Sequence, residues 1–587
     1  MVYEQAQQAE ARIESITDWR TEGRFQSRRD SQIYDKIKKT LKHAFTFGIG
    51  SVASSAYGVL LLPIYLRKIR TSEVGLLGLV TPALTILTIV LQMGLNHAFF
   101  RHYYETDDPE HRKRIVGSTL LFLLAVTVLA MLILLPLAPQ ISSIVLRGDD
   151  GRDLLKAAGE NHAELMRLVF LTCFFEVITT VPASILRVNF RSARFSALSI
   201  VSLLVQFGAI TYMVFFVEPS AKSVLTGRLL GTAFEALIFF WAVRRELSLK
   251  FSATELRGML GFGAPLIFGQ LAFILFTAID RFFVERYGGF KEVGAYTIAN
   301  SIVSVISILI TVPFSQVWTV MRFSVMNEEG ADEYYARVLT YMVIAGMFLA
   351  LCVSAVAGDG IIRFGLQKYW PAAVVIPLLA LSTVLDGASR VLNVGITLRK
   401  RTILSPVVIG AALAVNLGLN VLLIPRYGML GATVATLLSY IAFCGFRYWA
   451  SSLFYKVRYE WGRVSSALAV GSAIITLFYI IDYFKGAGTL RMGFYITLLI
   501  KVLLALSFPG FLYLLNFYDE KERRKLSELS RELWGRIKQS NATEPAVNSF
   551  PLLARSEALS ELPADPKPLA QLSSTAAAPA SRSLEND

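Results

Sequence analysis

The sequence predicts an all-α membrane protein of about 14 transmembrane helices, with two pseudo-symmetric six-helix bundles and two additional C-terminal helices. The 587-residue chain is 54% hydrophobic and only 17% charged, whereas soluble domains contain about 25% charged residues. Its apolar residues form blocks of roughly 18 to 26 positions, close to the length that spans a bilayer as a helix. Motifs recur between the first six blocks and the next six, which indicates a duplication.

Each apolar block is predicted to be a helix, because backbone groups in lipid must find their hydrogen bonds within the segment. The stretch from Ser118 to Leu135, for example, contains no charged residue. The first bundle is predicted to contain spans at 41–66, 75–99, 115–137, 165–186, 196–217 and 224–243. The second is predicted to contain spans at 259–279, 294–320, 338–357, 371–397, 402–424 and 429–450, and the additional helices lie at 464–481 and 493–517.

These spans divide the chain into five regions, whose predicted bounds are 1–40, 41–245, 246–450, 464–517 and 518–587. The first is a polar cytoplasmic extension, the next two are the bundles, and the fourth is the additional helix pair. In the last region, apolar residues at helical spacing among many charges predict an amphipathic helix over 519–539 on the inner membrane surface. The remainder is rich in Ala, Ser and Pro, a composition typical of a disordered tail.

The basic residues predict the orientation of the chain. The formal net charge is +14, and the Lys and Arg residues lie beside the apolar blocks, as they do at a membrane surface. We therefore interpret them as membrane contacts and expect no nucleic-acid partner. With the N-terminus in the cytoplasm, the loops on that side carry about twenty Lys and Arg against about fifteen on the other side, which favours this orientation. An even number of spans then places the C-terminus in the cytoplasm as well.

Several kinds of chemistry lack their signatures. The cysteines Cys173, Cys352 and Cys444 are isolated within apolar blocks, and the five histidines show no metal-ligand spacing. The chain contains no Gly-Lys dipeptide, so the phosphate-binding loop of ATPases is missing. We expect no metal, no other cofactor and no enzyme activity.

Matching motifs indicate an internal repeat. The repeated elements, about 215 to 221 positions apart, are Phe47-Gly48 with Phe262-Gly263, Glu73-Val74-Gly75 with Glu292-Val293-Gly294, and Arg101 with Arg322. Because each copy has an even number of spans, both copies have the same orientation, and their symmetry axis is expected along the membrane normal.

Three motifs resemble those of a known family. They are Leu61-Leu62-Pro63-Ile64-Tyr65-Leu66, Asp280-Arg281-Phe282-Phe283-Val284, and Tyr427-Gly428-Met429-Leu430-Gly431. These segments resemble the polysaccharide-biosynthesis flippases, the Wzx-type branch of the MATE-like multidrug/oligosaccharidyl-lipid/polysaccharide (MOP) superfamily. The resemblance extends over roughly 41–517, whereas the polar N-terminal extension and the long tail depart from the family pattern.

The resemblance implies a flippase that moves an undecaprenyl-pyrophosphate-linked oligosaccharide across a bacterial inner membrane by alternating access, for O-antigen, capsule or exopolysaccharide synthesis. It also implies contact with membrane lipids, polysaccharide assembly proteins as candidate partners, and a monomer. Three alternatives stay open at this point: a cation-coupled multidrug exporter, a lipid II flippase, and a polysaccharide polymerase or glycosyltransferase. Composition and spacing alone indicate only a duplicated membrane protein with many spans.

Candidate substrate ligands are polar residues within or beside the spans, where ionisable groups default to functional hypotheses. Arg101 and Arg322 occupy matching positions, and guanidinium groups suit a pyrophosphate. The alternative is that both only anchor the helices at the membrane surface. Gln92, Asn96 and Gln270 offer hydrogen bonds to sugar rings, or they hold helices together.

Candidate gating or coupling residues are Asp280, Glu176, Asp386 and Arg390. Asp386 and Arg390 are four positions apart on one helix and so can form an ion pair, with either a structural or a gating role. Asp280 is predicted to bind a coupling cation, to close an outward gate, or to be solvated at a helix end. Glu176, like Glu235, is a candidate for proton coupling or for pairing with an Arg of another helix; H⁺ and Na⁺ both stay open as the coupling ion.

Overall fold

The computed structural model describes residues 58–145, 162–363, 367–486 and 493–524, apart from the single positions 107, 190, 400, 402 and 521. Every regular element in this part of the chain is a helix, which confirms the predicted all-α class. The α-helices are α1 (Leu62–Lys68), α2 (Thr71–Gln92), α3 (Leu95–Tyr104), α4 (Pro109–Leu134), α5 (Ala138–Val145), α6 (His162–Val188), α7 (Ser192–Tyr212), α8 (Ala221–Val243), α9 (Ala253–Ala278), α10 (Asp280–Ile306), α11 (Val312–Ser324), α12 (Ala331–Arg363), α13 (Trp370–Leu392), α14 (Val394–Leu398), α15 (Leu404–Ser452), α16 (Trp461–Gly486), α17 (Phe494–Leu506) and α18 (Phe508–Leu514).

Ten helical segments of the described chain are long and apolar enough to cross a membrane, or eleven if the bent pair α17 and α18 counts as one span. The protein is therefore a multi-pass membrane protein. Two of these segments are far longer than one crossing, since Ala253–Ser324 has 72 residues and Leu404–Ser452 has 49. Each is broken at a glycine in the left-handed region, Gly289 (φ 73°) and Gly428 (φ 54°), a conformation that only glycine adopts without strain.

The exact count of fourteen stays a prediction, because most of the first predicted span lies outside the described residues. The polar extension 1–40, most of the amphipathic segment 519–539 and the tail beyond it also lie outside them. The chain divides into two units, Met1–Phe517 and Tyr518–Asp587. The predicted boundaries at 245 and 450 within the first unit stay predictions.

Many of the helices begin earlier than the apolar blocks predict, because polar residues form their first turns. The span predicted to begin at 259 begins at Ala253, where the Ser252 hydroxyl caps the helix by accepting from the Glu255 N–H. Similarly, the carboxylate of Asp108 accepts from two N–H groups at the start of α4. The loop predicted between 279 and 294 is also wrong, since α9 is followed directly by α10 and the chain stays helical up to the break at Gly289.

The repeated Glu-Val-Gly motif has the same structural role in both copies. The Glu73 carboxylate accepts from the Ala221 N–H (2.9 Å), at the start of α8. The Glu292 carboxylate accepts from the Met429 N–H (2.8 Å), where the second half of α15 begins after Gly428. A carboxylate at a helix N-terminus satisfies a free N–H and complements the helix dipole. This motif therefore ties the second helix of each bundle to the sixth.

The glycines of the same motif let the two bundles approach closely. A β-carbon on Gly75 would overlap the carbonyl oxygen of Phe290, and one on Gly294 would overlap that of Thr71. Residues at matching positions of the two copies thus face each other, as expected beside a two-fold axis. At the other end of α2, Gly94 packs equally closely against Gly263 at the centre of α9. The second helix of the first bundle therefore contacts the second bundle at both ends.

A buried ion cluster attaches the additional helices to the second bundle. The Lys501 ammonium of α17 lies 2.9 Å from the Asp359 carboxylate of α12 and 2.6 Å from that of Asp482 at the end of α16. Lys485 approaches Asp359 at 3.2 Å. The side chains of Lys501 and Asp359 are 2% and 0% exposed, so the two charges depend on each other for solvation.

Candidate functional site

A polar cavity of about 500 Å³ lies inside the first bundle, between α2, α3, α6, α7 and α8. This volume is within the range of about 300–1,000 Å³ that is usual for ligand sites. Its polar lining consists of Gln92, Asn96, His97, Glu176, Thr179, Thr180, Ser184, Arg187, Ser199, Ser202, Gln206, Arg228, Thr232 and Glu235. The lining side chains recur every three or four positions on α6, α7 and α8, so each of these helices contributes one polar face.

One ion pair joins two of the helices that line the cavity. An Arg228 Nη of α8 lies 3.0 Å from a Glu176 oxygen of α6, and the Thr88 hydroxyl of α2 donates to the other Glu176 oxygen (3.3 Å). Glu176 thus has the arginine partner from another helix that was one of its two predicted roles. Beside this pair, the Gln92 amide donates to the Thr180 hydroxyl (2.9 Å).

Three further groups of the cavity are available to a ligand. The Arg187 guanidinium lies 4.6 Å from the centre of the Phe195 ring and has no carboxylate within ion-pair distance among the described residues. The Glu235 carboxylate receives no hydrogen bond from that part of the chain either. The Asn96 side-chain oxygen is buried without a hydrogen-bond partner there. The cavity therefore offers a cation, an anion and an amide, which together suit a polar, charged ligand.

A second polar cluster lies in the second bundle. The Asp386 carboxylate accepts from the Arg390 guanidinium at 2.9 Å, which confirms the pair predicted from the spacing. Arg390 also donates to the Ser315 hydroxyl (3.4 Å) of α11. On α15, Arg447 donates to the carbonyl oxygen of Ser389 (2.9 Å). Arg390 is partly exposed, and the structure leaves both a structural and a gating role open to it.

Asp280 is only 4% exposed, so it is not a carboxylate solvated at a helix end. It accepts a hydrogen bond from the Tyr296 hydroxyl and another from the Thr436 hydroxyl (3.3 Å) of α15. The Arg281 N–H donates to its second oxygen (2.9 Å). Asp280 therefore joins α10 to α15, and its predicted cation-binding or gating role stays a prediction.

The two arginines singled out for the pyrophosphate do not line the cavity of the first bundle. Arg101 is exposed and pairs with Glu105, four residues further along the chain (2.9 Å). Its guanidinium lies 4.5 Å from the centre of the Phe262 ring. Arg322 lies at the end of α11, 5.1 Å from the Phe323 ring centre. Gln270 is half-buried on α9, also outside the cavity.

The cavity instead contains two arginines that were not among the predicted substrate ligands. Arg228 lies inside the sixth apolar block, and Arg187 ends the fourth. The signal that could have found them is the polar periodicity of α6 and α8, in which the polar residues of each helix fall on one face. Gln92, Asn96 and Glu176 were selected and do line the cavity.

The comparisons with known proteins agree with this architecture. A family model described as "Polysaccharide biosynthesis protein" matches residues 66–375. The fold is similar to that of the lipid II flippase MurJ in an inward closed conformation, with a TM-score of 0.63, 14% identity, and coverage of 80% of this chain and 98% of that one. It is also similar to an outward-facing multidrug resistance MATE family transporter of the MOP superfamily (TM-score 0.53, 15% identity, 73% and 96% coverage). An inward-facing structure of a MATE family transporter matches with a TM-score of 0.51, 15% identity, and 72% and 98% coverage. At these identities the likeness shows a shared fold. A search of the curated proteins finds no significant match.

Proposed function

This chain belongs to the polysaccharide biosynthesis protein family, and from that premise we propose that it is a flippase for a lipid-linked oligosaccharide. The lipid carrier is undecaprenyl pyrophosphate, and the transported unit serves surface polysaccharide assembly at the inner membrane. In this proposal the chain moves its substrate without chemical change, and both of its termini lie in the cytoplasm.

The observation that carries the proposal is the polar cavity inside the first bundle. A polar cavity lined by fourteen polar or charged side chains is unfavourable in a membrane protein unless a polar ligand or water occupies it. Arg187 and Arg228 supply the permanently charged donors that a pyrophosphate needs. The amides of Gln92 and Asn96 supply the donors and acceptors that sugar hydroxyls need.

The arrangement of the bundles supports alternating access. The first bundle contacts the second at Gly75, near the start of α2, and at Gly94, just after its end, and each bundle carries its own polar cluster. A rocking motion that opens one contact at a time would expose the polar interior to one membrane face and then to the other. H⁺ and Na⁺ are both candidates for the ion that drives transport. The carboxylates of Glu176 and Glu235 are the candidate groups that couple this ion to the substrate.

The test compares the leaflet position of undecaprenyl-linked oligosaccharides in cells that lack the protein and in cells that carry a variant. Wild-type protein should relieve an inner-leaflet accumulation, whereas Arg187→Gln with Arg228→Gln should reduce the flipping rate at least tenfold. Replacing both arginines with lysine should retain part of the rate, because the charges stay while the paired N–H donors are lost.

The matched control is Arg257→Gln with Arg458→Gln, which removes two exposed charges outside the cavity and should flip like wild type. An unchanged lipid pool in the deletion strain would contradict the proposal. Loss of resistance to cationic compounds in that strain would favour the multidrug exporter, and accumulation of lipid II would favour the lipid II flippase. Equal activity of the Arg187 and Arg228 double variant would remove the cavity from the mechanism.

A further inference from the structure

A second cavity of about 500 Å³ lies at one end of the first bundle, where α7 begins and α8 ends. Four arginines and one tryptophan line it: Arg191, Arg194, Arg244, Arg245 and Trp241. The apolar residues Ala197, Leu198 and Ala242 form its floor, and Glu246 is its only acidic residue. It shares no lining residue with the polar cavity inside the bundle. The proposed substrate path therefore does not account for it.

The charges of this basic cavity are largely uncompensated. Glu246 is the only carboxylate in the lining of the cavity. A Glu246 oxygen lies 2.6 Å from the Arg191 guanidinium. In the described part of the chain, no carboxylate lies within ion-pair distance of Arg194, Arg244 or Arg245. The positive end of the α7 dipole adds to the same field, because Arg191 and Arg194 flank the first turn of that helix.

Several neighbouring basic residues at this end of the bundle are paired with a carboxylate. Lys113 and Lys250 both pair with Glu110, and Arg101 pairs with Glu105. Arg194, Arg244 and Arg245 are exposed, so their clustered positive charges are accessible to an anion from outside the protein. The arginines of the cavity differ from these residues in that three of them lie together without a carboxylate partner in the described part of the chain, which suits an external anion.

The apolar part of the cavity restricts what that anion is. Trp241 is 66% exposed, and the Arg244 guanidinium lies 5.2 Å from its ring centre. An exposed indole beside arginines is typical of the level of lipid head groups. The floor of Ala197, Leu198 and Ala242 is suited to the glycerol and acyl part of a lipid and offers nothing to a free, fully hydrated ion.

We propose that this basic cavity binds the phosphate head group of an anionic phospholipid in the inner leaflet. Arg194, Arg244 and Arg245 contact the phosphate oxygens, Glu246 holds Arg191 in place, and Trp241 packs on the lipid. Guanidinium forks suit phosphate oxygens through paired N–H donors, and basic pockets on the cytoplasmic side of a helical bundle are known to hold anionic lipids. The site is separate from the substrate cavity, so it stands independently of the proposed transport activity.

The experiment titrates the purified full-length protein in detergent with defined lipids and counts the bound molecules by native mass spectrometry. Wild type should bind one phosphatidylglycerol at least tenfold more tightly than phosphatidylcholine. Arg194→Gln with Arg244→Gln should weaken phosphatidylglycerol binding at least tenfold. The control Arg257→Gln with Arg458→Gln loses the same charge elsewhere and should bind like wild type.

Other outcomes overturn the proposal. Equal binding of the two phospholipids, or undiminished binding by the Arg194 and Arg244 variant, would show that the cavity does not select an anionic head group. Competition by inorganic pyrophosphate alone would indicate a site for a soluble phosphate. Preferential binding of undecaprenyl pyrophosphate would indicate a docking site for the substrate carrier. If the glutamine variant fails to fold, Arg194→Lys with Arg244→Lys keeps the charge and must still distinguish phosphatidylglycerol from phosphatidylcholine.

Discussion

At the scale of single residues, most buried charges described here hold helices together as ion pairs, and a few groups of the polar cavity have no charged partner among the described residues. Lys501 and Asp359 are almost completely buried and neutralise each other. Glu176 and Arg228 likewise join α6 to α8. By contrast, the carboxylate of Glu235 has no ion-pair partner among the described residues. Arg228 thus combines a contact between two helices with its proposed role in the substrate cavity.

Replacing Lys501 by methionine should strongly destabilise the protein, because Asp359 would lose its nearest cation in a buried site. Removing one partner of a buried ion pair costs about 3–5 kcal/mol. The measurement is the apparent unfolding temperature of the purified protein in detergent. Lys485→Met should cost much less, since Lys501 still neutralises Asp359. Equal losses for the two variants would contradict this account of the ion cluster.

At the scale of helices, glycine determines how closely the bundles approach. The turn of α2 at Gly75 and the turn of α10 at Gly294 are so close that neither position can carry a β-carbon without movement. Close approach of small residues is a principal source of helix association in membranes, where lipid and side chains are equally apolar. Glu73 and Glu292, only two positions away, then attach the same helices to the sixth helix of each bundle.

Replacing Gly75 by alanine should push α2 away from α10 and weaken this contact between the bundles. We expect a lower unfolding temperature and faster labelling of a cysteine placed at Ser72, which is buried next to the contact. Gly208→Ala is the control, because nothing lies within 4 Å of its β-carbon position. That variant should be neutral or slightly stabilising, since alanine is the better helix former by about 1 kcal/mol. Slow labelling that matches the Gly208 variant would contradict the tight crossing.

At the scale of the whole molecule, two helical bundles and an additional helix pair form one membrane-spanning unit. The second bundle contacts both the first bundle, through α2, and the additional helices, through Lys501. The orientation of this unit in the membrane follows from the basic residues alone, so it is a prediction that calls for a direct measurement.

Both termini are expected in the cytoplasm, and cysteine labelling of intact cells tests this. A cysteine at Ser248, between α8 and α9, should be protected from a membrane-impermeant reagent. A cysteine at Pro219, between α7 and α8, should react with it. The native Cys173, Cys352 and Cys444 lie within spans and are replaced beforehand. The reverse labelling pattern would place the basic cavity and both termini on the outer side.

The amino-acid sequence by itself determined the all-α membrane class, the positions of most spans, the internal repeat and the family resemblance. The class and the spans depend on composition and local periodicity, because an apolar segment in lipid must form its hydrogen bonds within a helix. The repeat and the resemblance depend on short motifs. It also identified Gln92, Asn96 and Glu176 of the cavity and the Asp386–Arg390 pair, whose spacing brings both side chains to one face.

Only the tertiary structure decided which polar groups meet. It placed Arg228 of α8 against Glu176 of α6 and left Arg101 outside the cavity, paired with Glu105. It also paired Lys501 with Asp359 across 142 positions of the chain. The physical reason is that a membrane helix presents several polar residues at its faces, and the sequence of one helix does not specify which face its neighbours will cover.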